Sequence, residues 1–175
     1  MGKKRIAWAI TGAGHFLEES VGALLKHETV DVFLSRAAEE VLRMYGLRTR
    51  IKAPGVRIYQ ENKAGFPLLG RFSAGVYSVL VVAPATSNSV AKFIHGIADT
   101  LVTNLFAQAG KSRVPVIVYP TDLMPEMDSL GPHRKQIKIY PRPIDLENTR
   151  KLGALDGVHV VRNMEELERC LAAHI

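Results

Sequence analysis

VVAPATSNSVAKFIHGIADTLVTN, residues 81–104, changes character twice within a few residues. An apolar run ends in Pro-Ala-Thr-Ser-Asn-Ser, and two helix-like segments follow with Gly96 between them. Read back to Val76, the run becomes VYSVLVVAP, Val-rich and unbroken, the pattern of a strand buried on both faces of a parallel sheet and closed by Pro84. Four small hydroxyl or amide side chains, Thr86, Ser87, Asn88 and Ser89, then stand where the buried strand stops. Such residues cap a helix or wall a ligand rich in acceptors, and the stretch alone leaves both readings open.

Outward from this stretch, short apolar runs alternate with amphipathic ones. RIAWAIT, VDVFLS, GVRIYQ, VPVIVYP and GVHVV read as further strands. FLEESVGALLKH and RAAEEVLRMYG read as helices, the second capped by Ser35 and ended by Gly46. Strands alternating with helices imply right-handed crossovers and a mainly parallel sheet. The expected fold is therefore one doubly wound, three-layer α/β domain of the flavodoxin or Rossmann-like kind over residues 1–175. Two segments look irregular, residues 52–73 and 119–143, and long irregular segments in compact domains are often binding loops or flaps.

The bulk numbers agree with one globular domain. The chain has 175 residues, 47% of them apolar and 23% charged. No apolar run approaches the roughly 18 residues of a membrane span. RIAWAIT is too short for a signal-peptide core, and Ile6 stands where a myristoylation motif needs Ser or Thr, so a cytoplasmic protein is expected. The net charge of +6 favours anionic partners. Lys and Arg are scattered and accompanied by only five Tyr and one Trp, which argues against nucleic acid. Cys170 is the only cysteine and excludes an internal disulfide or a cysteine metal cluster. It falls at helical spacing with Met164, Leu167 and Leu171, behind an Asn163–Glu166 capping box, and reads as a small core residue. No metal site is expected.

In open α/β sheets ligands bind beyond the carboxyl ends of the strands. Three such ends are small and polar here. Thr11-Gly12-Ala13-Gly14-His15 joins the first strand to its helix, where glycines admit a ligand close to the backbone and the helix start offers N–H groups to an anion. A dinucleotide fingerprint would place a third glycine at position 17, which is Leu17. Ser35-Arg36 puts a hydroxyl and a cation at the second helix start, and Pro84 to Asn88 forms the third end. Together they suit a mononucleotide.

The run Pro84, Ala85, Thr86, Asn88, Ser89, Ala91, Lys92, then Gly96, Ile97, Ala98, Asp99, resembles the signature of the flavoprotein superfamily of cysteine decarboxylases and phosphopantothenoylcysteine decarboxylase. The resemblance extends to ITGAG and Ser35. It implies non-covalent FMN held by the three strand ends, with Asp99 on a ribityl hydroxyl or at the second helix start, in a homo-oligomer with flavin near the subunit interface. The decarboxylases' catalytic His is missing from AGFPLLGRFSAG, their Pro-x-Met-Asn motif is broken in PTDLMPEM, and no cysteine serves a substrate flap. ITGAGHFL, GIADTLVTN and Arg142-x-x-Asp145-x-x-Asn148 are closer to the archaeoflavoprotein and dihydromethanopterin reductase branch.

That branch implies FMN-dependent reduction of dihydromethanopterin, or a flavoprotein electron carrier fed by ferredoxin; a decarboxylase or flavin prenyltransferase is the more distant alternative. NADH or NADPH is a further candidate donor. Imine reduction needs a hydride and a proton. His15, in the first cofactor loop, is the candidate acid, or else it fills the turn or binds phosphate. Lys92 is a candidate stabiliser of anionic reduced flavin, or else pairs with an acid. Asp99 could equally cap the helix TLVTNLFAQAG. His95 reads as a helix C-terminal residue, and His27 and His174 as solvated. The basic loop around His133, Arg134, Lys135 and Lys138 could capture the anionic tail of a methanopterin, dock a ferredoxin, or simply be solvated.

Overall fold

A computed structural model describes residues 4–62 and 68–175. In chain order its elements begin β1 (Arg5–Ile10), α1 (Leu17–Leu24), β2 (Val30–Leu34), α2 (Arg36–Met44), β3 (Val56–Gln60), α3 (Gly70–Ser73), β4 (Tyr77–Ala85) and α4 (Ser87–Ile94). They continue α5 (Leu101–Lys111), β5 (Val116–Pro120), β6 (Met127–Leu130), β7 (Gln136–Ile139), α6 (Pro143–Leu152), β8 (Val158–Val160) and α7 (Met164–Ala172). Six strands form one parallel sheet in the order β3-β2-β1-β4-β5-β8. The chain winds outward in both directions from the β1–β4 pair, so the doubly wound class expected from the alternation is the observed one.

Alternation along β1 builds both layers. Ile6, Trp8 and Ile10 face a core closed by Leu17 and Val21 of α1, Leu42 of α2 and Leu167 and Leu171 of α7. Ala7 and Ala9 face the opposite core with Phe72, Val90, Phe93, Leu105 and Leu152. Trp8 is fully buried, and its indole N–H donates to Ala83 O at 3.0 Å, so its polar atom is satisfied. At the amino end of the sheet, Asp31 is fully buried. It accepts from Arg5 Nε at 2.6 Å and from Tyr77 Oη at 2.8 Å, and pairs with Arg71 at 3.0 Å.

Several expectations need correction. β4 does not stop at Pro84 but runs on to Ala85, which pairs with Pro120 of β5. Most of the segment 119–143 that looked irregular is a β-hairpin: β6 and β7 pair antiparallel, with Met127 opposite Ile139 and Leu130 opposite Gln136. Segment 52–73 holds β3 and α3, and residues 63–67, within AGFPLLGRFSAG, lie outside the described residues. Asn163 caps α7, but Glu166 reaches Arg162 N rather than the capping residue. Cys170 packs on the core while remaining half-buried, and His174 is half-buried beside His159 instead of solvated. No helix among the described residues is long and apolar enough to cross a membrane.

Candidate functional site

The three polar turns meet at the carboxyl ends of the adjacent strands β2, β1 and β4. Thr11 joins two of them: its hydroxyl donates to Pro84 O at 2.8 Å and accepts from Thr86 N at 2.9 Å. Ser35 N donates to Ile10 O at 3.2 Å, which brings in the third. Ser35 caps α2 by accepting from Ala38 N at 3.1 Å, and its own hydroxyl proton stays available. Thr86 caps α4 by accepting from Ser89 N. Ser87 is half-buried, and Asn88 and Arg36 are exposed.

The glycines of the first turn also serve packing within the chain. A Cβ on Gly12 would lie 2.4 Å from Ala37 Cβ, and one on Gly14 would lie 2.2 Å from the Tyr45 hydroxyl. They admit Ala37 of α2 and Tyr45 just past its end. Ala13, between them, is buried.

Asp99 is not a cap. Thr100 caps α5, exchanging bonds with Thr103, while both Asp99 oxygens lie 2.8 Å from Lys92 Nζ. That contact holds the Asp99 carboxyl below its ordinary range. Lys92 and Asp99 therefore form one neutral pair at the site's margin. His95 is the residue that terminates α4.

His15 sits under the hairpin. Its Nδ1 lies 2.8 Å from Ser129 Oγ, and Nε2 is buried with no partner among the described residues. Burial lowers its pKa from the ordinary imidazole value and so favours the neutral ring. Its ring centroid is 3.6 Å from that of Phe16, which stacks on Tyr119 at 4.4 Å. Tyr45 Oη donates to Leu130 O at 3.1 Å, a second tie to β6. Between hairpin and turn lies a cavity of about 900 Å³, lined by His15, Phe16, Glu19, Tyr45, Ser129 and Arg134 among others. At the hairpin tip His133, Arg134 and Lys135 are exposed.

Two carboxylates here escaped the sequence reading. Glu61, just past β3, accepts from Arg36 N at 2.9 Å and Leu101 N at 2.8 Å, joining the starts of α2 and α5. Asp122, just past β5, is 9% exposed and stands near Ser87, Arg142 and Asp145. Both follow strand ends, the same signal that identified the other three turns. The expected Arg142, Asp145 and Asn148 start α6: Asp145 accepts from Arg142 at 2.8 Å through two bonds, and Asp145 and Asn148 are buried. No group of three or more potential metal ligands occurs among the described residues.

Comparison with known proteins gives this geometry relatives. The dihydromethanopterin reductase (acceptor) of Methanosarcina mazei is 46% identical over 154 residues, covering 79% of this chain; the chain spans 64% of that protein's length. An uncharacterized Methanocaldococcus jannaschii protein is 36% identical, covering 98% of this chain and 96% of its own. The FMN complex of Burkholderia xenovorans DmrB, described as a cubic protein cage for redox transfer, superposes with a TM-score of 0.85. It is 39% identical, with 97% of this chain and 94% of that one covered. Residues 1–174 match the Flavoprotein family model, and the chain belongs to that family.

Proposed function

We propose that residues 1–175 form one FMN-binding domain that reduces a dihydropterin, dihydromethanopterin by the names its relatives carry. The observation behind this reading is the junction of three polar strand ends at the switch point, joined through the Thr11 hydroxyl. Its remaining donor set fits an FMN. The Ser35 hydroxyl and the Arg36 guanidinium at the start of α2 suit the phosphate. Asn88 and Ser87, in the first turn of α4, suit ribityl or ring acceptors.

Bound FMN, once reduced, would supply the hydride that carries both electrons. The chain's part is to bind, orient and exclude water. The hairpin covers the first turn through His15–Ser129 and Tyr45–Leu130, giving a wall against which a flat substrate can stack. The cationic tip at His133, Arg134 and Lys135 suits the anionic tail of such a substrate. His15, whose burial favours the neutral imidazole, offers a hydrogen-bonding ring beside the site. Lys92, neutralised by Asp99, acts as a fixed element beside the site. A homo-oligomer is part of the proposal, by analogy with the cage formed by DmrB.

The same cationic tip favours a second reading, an electron carrier that docks an acidic ferredoxin. NADH or NADPH would serve the reductase as alternative donors. The test is to reduce the FMN-loaded protein without oxygen and add dihydromethanopterin. Reoxidation of the flavin with formation of the tetrahydro product supports the reductase. Absence of reoxidation, with rapid reduction by ferredoxin, supports the carrier and contradicts the first reading.

A further inference from the structure

We propose that Glu19 is the specificity residue of the hairpin cavity, its carboxylate accepting the two neighbouring N–H donors on the amino-pyrimidinone edge of a pterin. The inference deepens the reductase reading above and rests on it.

The carboxylate and the cavity meet just past the turn after β1. Phe16 takes φ 64°, the left-handed region that a bulky residue rarely adopts, immediately before α1. Its ring lies between those of His15, at 3.6 Å, and Tyr119, at 4.4 Å and 13° from parallel. Tyr119 is 2% exposed, and its hydroxyl donates to Glu19 Oε1 at 3.0 Å. Burial, reinforced by the Glu19 charge, pushes the phenol up, so it stays protonated and remains a donor. Glu19 itself stands in the first turn of α1, exposed on the wall of the 900 Å³ cavity. A stacked, buried tyrosine thus holds the carboxylate from behind. An ionised carboxylate bound at one oxygen keeps acceptor sites on the other for a ligand.

Two other carboxylates line the same cavity and are placed differently. Glu18 is largely exposed and lies 3.6 Å from Arg50. Asp128 falls on the exposed side of β6, alternating with buried Met127 and Ser129. Of the three, Glu19 alone accepts from a buried side chain among the described residues.

His133 and Arg134 line the cavity from the hairpin tip. A ligand that suits both walls carries paired N–H donors at one place and an anionic group at another. A pterin with an acidic tail has this polarity. Its donor edge belongs to the pyrimidine ring, and the tail leaves from the fused ring that is reduced. Two parallel charge-assisted bonds from that edge to one carboxylate fix both the position and the plane of the bicycle. The grip falls on the ring that does not react, so Glu19 selects and orients the substrate without handling the reacting atoms.

The test uses the full FMN-loaded chain. One readout is flavin reoxidation after anaerobic reduction, followed against dihydromethanopterin concentration to give a half-saturating concentration and a maximal rate. The other, independent of turnover, is calorimetric binding of pterin-6-carboxylate and lumazine-6-carboxylate to the oxidised protein. Lumazine has an oxygen where pterin has the amino group, and so sets an acceptor against the carboxylate. The wild-type protein is expected to bind the pterin at least about 10-fold more tightly. Glu19→Gln should raise the half-saturating concentration roughly 10- to 100-fold with the maximal rate nearly unchanged, and should abolish the preference for pterin. Tyr119→Phe keeps the charge but removes its brace, and should cost roughly 3- to 10-fold with part of the preference retained. A Glu19→Gln protein with wild-type saturation, or one that weakens both probes equally, overturns the inference. Should that variant lose FMN, the wild-type protein decides, and equal binding of the two probes overturns it. A wild-type protein that is not reoxidised by dihydromethanopterin contradicts the reductase reading instead, and the probe preference is read apart from that result.

Discussion

The two ends of the sheet both bury carboxylates, and they treat them differently. At the amino end, Asp31 is fully enclosed, and Arg5, Arg71 and Tyr77 supply donors to both of its oxygens. Arg71 also donates to Tyr59 Oη at 2.7 Å and lies over the rings of Tyr59 and Tyr77. At the carboxyl end, Asp122 faces another carboxylate as well as an arginine, and His15 Nε2, Asn148 Oδ1 and Thr149 Oγ1 lack partners among the described residues. A satisfied buried network locks α3 and four strands into one arrangement. An incompletely satisfied one costs stability and is retained where something else must bind. The same residue type is thus fully paired with donors at one end and set beside a second carboxylate at the other.

The largest effect expected from this contrast is at the amino end. Asp31→Ala leaves two arginines without their buried partner and should cost about 3–5 kcal/mol in chemical denaturation. The pH profile of flavin reoxidation should stay unchanged in molecules that remain folded. A loss confined to turnover would break the comparison, because it would give the amino end a chemical role. A smaller effect is expected at Glu61, which joins two helix starts rather than filling a core. Glu61→Ala should cost about 1–2 kcal/mol, the scale of carboxylates at helix N-termini. A cost as large as that of Asp31→Ala would mean the carboxyl end is held as tightly as the amino end.

The framework was legible because its signals are local. RIAWAIT, VDVFLS, GVRIYQ, VYSVLVVAP and VPVIVYP carry strand periodicity in their own residues, and all became strands of the main sheet. Ser35 as a cap followed from one residue and its neighbours. The hairpin stayed hidden because MDSL and QIKI are short. β7 is exposed along most of its length, so its alternating Ile137 and Ile139 bury little, while the hairpin's ties to the body run through Ser129 and Leu130 of β6 to residues more than 80 positions away. Nor could sequence tell a glycine opened for a ligand from one opened for Ala37 or Tyr45, since both demand the missing Cβ. Asp99 and Thr100 are adjacent and both good caps; Lys92 settles the choice by taking Asp99. Glu61 and Asp122 were within reach. Each lies one or two residues past a strand that had been read, where the strand-end rule applies as it does to Thr11, Ser35 and Ala85.

The central claim is that the joined turns at Thr11, Ser35 and Thr86 hold an FMN. Its most direct test is the visible absorption spectrum of the purified protein after incubation with FMN and desalting. The account predicts a retained two-band flavin spectrum, at one flavin per chain. A colourless protein that releases all added FMN would contradict it.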